Sequence, residues 1–312
     1  MAYELLYYLN YGILAAFLSM FAVELGMAIR AMCGYSVLKE RIRHYVMPLW
    51  EITGTFAVFY IVDLVATYPN LVPVIAPIYI GPIIAAALLL ILRNAFLAYG
   101  EIMGGHAKEK QVFAIYSATT IIIAFILSAI LGSVVSGSGV DVASGSLNVA
   151  AMLFNGFGLA VFLAMVLIGL FAASVLIGDK KERAMPAASA FVALVLMLSA
   201  LGFGTAYGAG LIASNEYLVI LYAVFIAVVV PLYLAGRAAA KKLVFPLVFF
   251  GVLCFAVIQN QMLFNGAASF ASYVTNTAGA QYLIIATVGG GAFLVAALSY
   301  FIYLTFMKRA TS

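Results

Sequence analysis

Glu24, Glu51 and Arg93 stand inside apolar stretches of a 312-residue chain that is 67% hydrophobic and only 8% charged. A charge in hydrocarbon costs about 2.5–3.5 kcal/mol even on the most lenient insertion scale, so such a group is kept with a partner or a task. Two carboxylates and a guanidinium offer two kinds of chemistry. They can neutralise one another and lock helices together, or they can relay protons, because burial and a neighbouring arginine act on a carboxyl in opposite directions and let it load and release a proton. At about 1.5 Å per residue, Glu24 lies about 9 Å along its helix from Arg30, Glu51 about 12 Å from Arg43, and Arg93 about 9 Å from Tyr99. The three are therefore expected to share one layer in the cytoplasmic half of a membrane, with Glu101 close to that entry. Asp63, twelve residues beyond Glu51, is expected to be interfacial rather than part of a second polar site.

The elements that must position these groups follow from hydropathy. A mean hydropathy of +1.18 lies far outside the soluble range, and nine apolar stretches approach or exceed the ~20 residues that cross a bilayer. They run from Tyr8 to Met32, Met47 to Tyr68, Val72 to Leu97, Val112 to Val135, Val149 to Ile177, Pro186 to Tyr207, Tyr217 to Ala235, Leu243 to Met262 and Gln281 to Met307. Thirteen of the fifteen Lys and Arg fall on every second connection: Lys39, Arg41 and Arg43; Lys108 and Lys110; Lys180, Lys181 and Arg183; Arg237, Lys241 and Lys242; Lys308 and Arg309. Basic connections stay cytoplasmic, so the N-terminus is expected outside and the C-terminus inside. The expected architecture is an all-α, polytopic membrane domain over 1–312. Residues 1–137 and 138–264 would form two four-helix bundles, and 265–312 would form a ninth, peripheral helix and tail. The start, MAYELLYYLN, is acidic rather than basic and is read as a mature first helix, not a cleaved signal.

Other residues carry weaker signals. Gln259, Asn260 and Gln261 are candidate contacts for a quinone carbonyl or a lipid headgroup, against interhelical hydrogen bonding as the plainer reading. Cys33 and Cys254 make neither a disulfide framework nor a metal motif and are read as small packing residues. His44 and His106 lie in basic connections, and the twelve Met residues are read as packing, so no haem or other metal is expected in this chain. The net charge of +4 points to anionic lipid headgroups and not to nucleic acid.

Three segments, FAVELG, KERIRHYVMPLWE and LLLILRNAFLAYGE, resemble the N-terminal third of subunit II of cytochrome bd-type quinol oxidases. The family pattern has an acid after Phe-Ala-Val, a Pro-x-Trp-acid step opening helix two, and an Arg followed six positions later by Tyr. Here these are Glu24, then Pro48, Trp50 and Glu51, then Arg93 and Tyr99. The chain departs from the pattern at Leu25, where the family's helix-one acid sits, at Glu51 in place of Asp, at Ile52, Thr53 and Gly54, and at Ala98. These departures point to a remote branch, expected to be archaeal. The resemblance implies a haem-free partner of a haem-bearing subunit I that carries haems b and d, in a multi-pass complex of the cell membrane that reduces oxygen to water with quinol. Glu24, Glu51, Arg93 and Glu101 would serve proton entry, Trp50 and Tyr99 would support that site, and a quinone or lipid, or small single-helix subunits, would be further companions. The isolated chain would not be catalytic. The alternative is a secondary transporter or ion channel built on the same Glu/Arg site, although the second half lacks a matching set of buried charges. A structural anchor for another respiratory complex is a third reading.

Overall fold

The computed structural model describes residues 2–102, 109–177, 249, 262–275 and 277–302. Helix α1 (Ala2–Thr67) opens the chain, followed by α2 (Val72–Ile102) and α3 (Glu109–Ser136). A two-residue-per-strand hairpin follows, β1 (Val140–Asp141) with β2 (Ser146–Leu147), antiparallel. Helices α4 (Val149–Leu153) and α5 (Gly156–Ile177) come next. A second such hairpin, β3 (Met262–Leu263) with β4 (Ala268–Ser269), leads into α6 (Thr277–Ile302). Five described helical spans are long and apolar enough to cross a membrane, or six if the bent α4–α5 pair counts as one. The chain is thus a multi-pass, predominantly α-helical membrane protein. The stretches expected at 186–207 and 217–235, and nearly all of 243–262, lie outside the described residues.

Two elements differ from the sequence expectation. The basic connection between the first two spans is helical, so that α1 joins Tyr3–Tyr35 and Val37–Thr67 across a break at Gly34, whose φ of −160° and ψ of 36° leave the helical region. Lys39, Glu40, Arg41 and Arg43 favour helix strongly enough to continue it. Arg41 also donates from Nη1 to the carbonyl of Ile177 at 2.9 Å, satisfying an orphan acceptor at the C-terminus of α5. The apolar run 149–177 is broken in turn. Asn155 accepts from the amide of Gly158 at 2.5 Å and donates to the carbonyls of Ala129 and Met152, and a few residues on, the stretches Val149–Leu159 and Val161–Ile177 meet at 54°.

Helix α5 packs against α1 and α3, and it does so through glycine. A Cβ on Gly169 would lie 2.9 Å from the amide nitrogen of Gly26, and one on Gly158 would lie 3.0 Å from the Cα of Ala129. Such close backbone approach is how membrane helices gain dispersion energy where lipid supplies no hydrophobic drive. Helix α6 lies against α1, with Phe59 beneath Gly290. The β3–β4 hairpin closes the end of α3: Phe264 and Asn265 donate backbone N–H groups to the carbonyls of Val134 and Val135 at 2.7 and 2.8 Å. Phe264 and Asn265 hold φ of 51° and 56° to do so. Both hairpins lie at the end of the bundle opposite Gly34. That end is called the hairpin end below, and the other the connection end.

Candidate functional site

The second half of α2 and the first span bring Arg93 to Glu24. Arg93 Nη1 and Glu24 Oε2 are 2.7 Å apart and both side chains are almost completely buried, at 1% and 0% exposed. The pair is held between helices 69 residues apart in sequence. Arg93 Nε donates to Asn94 Oδ1 at 3.1 Å, and its guanidinium carbon lies 5.9 Å from the centre of the Tyr116 ring on α3, within cation–π range. Three helical segments therefore meet at one ion pair. Its geometry is incomplete on the acidic side, because among the described residues no hydrogen-bond donor meets the buried Glu24 Oε1, and none partners the Tyr116 hydroxyl nearby. A buried carboxylate oxygen without a donor is costly unless a proton or a water occupies it, which gives this atom a chemical use.

Glu51 reaches this depth but faces away from the pair. It is exposed on the second span, and Thr53 turns inward toward Glu24 in its place. Two residues on a helix are about 200° apart around the axis, so a buried Thr53 carries Glu51 to the opposite face. The Thr53 hydroxyl donates to the carbonyl of Leu49 at 2.8 Å. Trp50 is half-buried against the core of the first span, with its indole N–H buried and without an acceptor. Tyr99 is exposed at the end of α2. Glu101 lies within α2, and the place of its side chain is outside what is described, as are Gln259, Asn260, Gln261, His106 and Cys254. Cys33 is exposed beside the Gly34 break and does not pack as expected.

Asp63 corrects the sequence reading most sharply. It is 5% exposed and buried between three elements. Asn10 Nδ2 of the first span donates to Oδ2 at 3.0 Å, and the hydroxyl of Thr287 on α6 donates to Oδ1. Tyr60 and Tyr68 stand near it, and Tyr7 and Tyr11 adjoin them toward the hairpin end, where Phe270 packs on Tyr7 and Tyr68 with ring centres 5.7 and 4.9 Å apart. Asn10 and Asp63 stand at comparable depths from the same ends of their spans, a pattern visible in the sequence. Thr287 gave no such signal, since a threonine in an apolar helix usually bonds its own backbone.

These residues lie in a fold that known proteins share. A model of cytochrome bd terminal oxidase subunit II matches residues 4–307. The chain belongs to that family. Among solved structures, one described as the structure of bd oxidase from Geobacillus thermodenitrificans superposes with a TM-score of 0.81 at 19% identity, covering 96% of this chain and 97% of that one. That likeness establishes the fold. No curated protein sequence matches the chain. Membership makes the protein a membrane component of respiratory electron transport, in an oxidoreductase family whose complexes carry haem. Among the described residues no three His, Cys, Asp or Glu cluster, and His44 is half-buried near the start of the second span, edge-on to Tyr45 at 5.2 Å.

Proposed function

We propose that this chain is the haem-free second subunit of a bd-type terminal oxidase, and that it supplies cytoplasmic protons to a haem-bearing subunit I for quinol-driven reduction of oxygen to water. The observation that carries the proposal is the buried Glu24–Arg93 pair with one carboxylate oxygen left unserved among the described residues. A carboxyl in that state can accept a proton at Oε1 while Oε2 keeps its hydrogen bond from Arg93, so loading neutralises the carboxylate without parting the two side chains. On this reading the connection end faces the cytoplasm, as the basic residues there favour, and the hairpin end faces outside.

Glu51 has a different place in the scheme. An exposed carboxylate on an apolar helix surface is expensive against lipid and inexpensive against a polar groove of a partner. It is the group through which protons pass from this chain to subunit I. The exposed apolar residues of α2, including Ile80, Ile84, Leu88 and Ile91, suit a large helix-to-helix interface. Lipid or quinone, and single-helix subunits, would occupy what subunit I leaves open, and the setting is the cell membrane.

The transporter alternative gains nothing from the geometry, because Glu24 and Arg93 pair with each other inside one bundle, Asp63 is closed over by Asn10 and Thr287, and the family assignment points elsewhere. Replacing Glu51 with Gln keeps size and hydrogen bonding while removing proton exchange. The complex is expected to assemble with full haem content and to consume oxygen more slowly, increasingly so as pH rises from 5 to 8. Wild-type rates across that range would end the relay role of Glu51.

A further inference from the structure

The seam between the first and second spans carries two polar sites separated by an apolar layer. On the second span Thr53, Phe56, Tyr60 and Asp63 recur at intervals of three and four, which places them on one helix face. On the first span Asn10, Phe17 and Glu24 recur at intervals of seven and share the opposing face. The antiparallel register that sets Asn10 beside Asp63 and Glu24 beside Thr53 puts Phe17 level with Val58, within about one helical turn of Phe56 on the facing span. Phe56 is 2% exposed and belongs to the same packed cluster as Met20 and Val23. Phe17 packs against all three apolar clusters of the bundle and stacks on Phe21 with ring centres 5.6 Å apart.

We propose that the Phe17–Phe56 layer is an insulating plug: it keeps protons held at the Glu24–Arg93 site from reaching Asp63 and the hairpin side, so the one-sidedness of proton uptake is built into this chain. The inference rests on the uptake role proposed above. Its physical basis is that proton transfer needs an unbroken file of polar groups or water, and a gap lined only by packed hydrocarbon does not hold water. Thr53 and Asp63 are about 15 Å apart along the helix, and the Phe17–Phe56 level lies between them. Above it, Asp63 faces Asn10 from the first span, Tyr60 and Tyr68 from its own and Thr287 from α6, with Tyr7 and Tyr11 adjoining those tyrosines. Below it stand Glu24, Arg93, Thr53 and Tyr116. The Asp63 group thus forms an outer polar vestibule that would complete a path across the membrane if the layer were wetted.

The test is passive proton leak through the assembled complex in liposomes, with no quinol present, read as the collapse of an imposed pH step by an entrapped dye. Only variants with wild-type haem content are compared. Phe56→Asn, and independently Phe17→Asn on the facing helix, should accelerate collapse several-fold, whereas Phe56→Leu, which keeps the layer apolar, should stay as tight as wild type. Adding Asp63→Asn to Phe56→Asn should return the leak to the wild-type level. Tight vesicles with both Asn variants, or a leak that survives Asp63→Asn, would overturn the plug. Because leak is measured without turnover, a normal turnover rate in Glu51→Gln would remove the uptake reading and leave this result standing, and the converse also holds.

Discussion

Neutralising one member of the Glu24–Arg93 pair leaves the other charge buried, and this sets the size of the effect. With charge centres about 3.5 Å apart and an effective dielectric of about 20, the attraction is about 5 kcal/mol, most of which offsets the desolvation of the two groups. Glu24→Gln therefore removes the attraction but not the cost of the guanidinium, and about 3–5 kcal/mol of stability should be lost. Arg93→Gln should cost a similar amount for the mirror-image reason. The double variant Glu24→Gln/Arg93→Gln leaves two neutral amides able to bond each other, so it should be less destabilised than either single change. The assay is heat-induced dissociation of the assembled complex, followed by release of haem absorbance, for the four members of the cycle. A coupling of at least about 2 kcal/mol in favour of the pair is expected, and single effects that add to within about 0.5 kcal/mol would refute a functional contact between the two residues.

Thr287→Val should loosen α6 from α1 by removing one donor to a buried carboxylate, costing about 1–3 kcal/mol, with faster proteolytic nicking between the β3–β4 hairpin and α6 as the measurement. Gly169→Leu should block complex assembly, since its side chain would enter the backbone of the first span near Gly26; an assembled variant with normal haem content would contradict the packing. Asp141 in the β1–β2 turn accepts from the Ser144 hydroxyl and from the Ser144 and Ala143 amides, which holds its carboxyl below the usual range. Its folded-state affinity for protons is thus lower than its unfolded one, so the turn's added order is present above the ordinary carboxylate pKa and fades as pH falls through the depressed value; hydrogen exchange of the Ser144 amide should rise there in wild type, and at all pH values in Asp141→Ala.

Much of this architecture was legible because membrane spans announce themselves by length and hydropathy, and the five described spans fall on stretches read from the sequence. Depth was legible too, for it brought Glu24 and Arg93 to one layer. Azimuth was not. Glu51 satisfied the depth argument equally well, yet a strongly apolar helix has almost no amphipathic signal to show which side faces the bundle, and Thr53 took the inward place. Asp63 was missed for a related reason: a carboxylate near a span end reads as interfacial until Asn10 and Thr287, from 53 residues before and 224 residues after, are seen to close over it. The helical connection through Gly34 and the Asn155 break rest on local hydrogen bonds that hydropathy does not register.

The central claim, that this chain delivers protons for oxygen reduction, is tested most directly by a single turnover of the fully reduced complex with oxygen, following haem absorbance and the uptake of protons by a pH dye in the same experiment. In Glu24→Gln and in Glu51→Gln, oxygen binding should keep its wild-type rate while proton uptake and the later haem transitions slow together. Proton uptake at the wild-type rate in both variants, with haem content intact, would contradict the account.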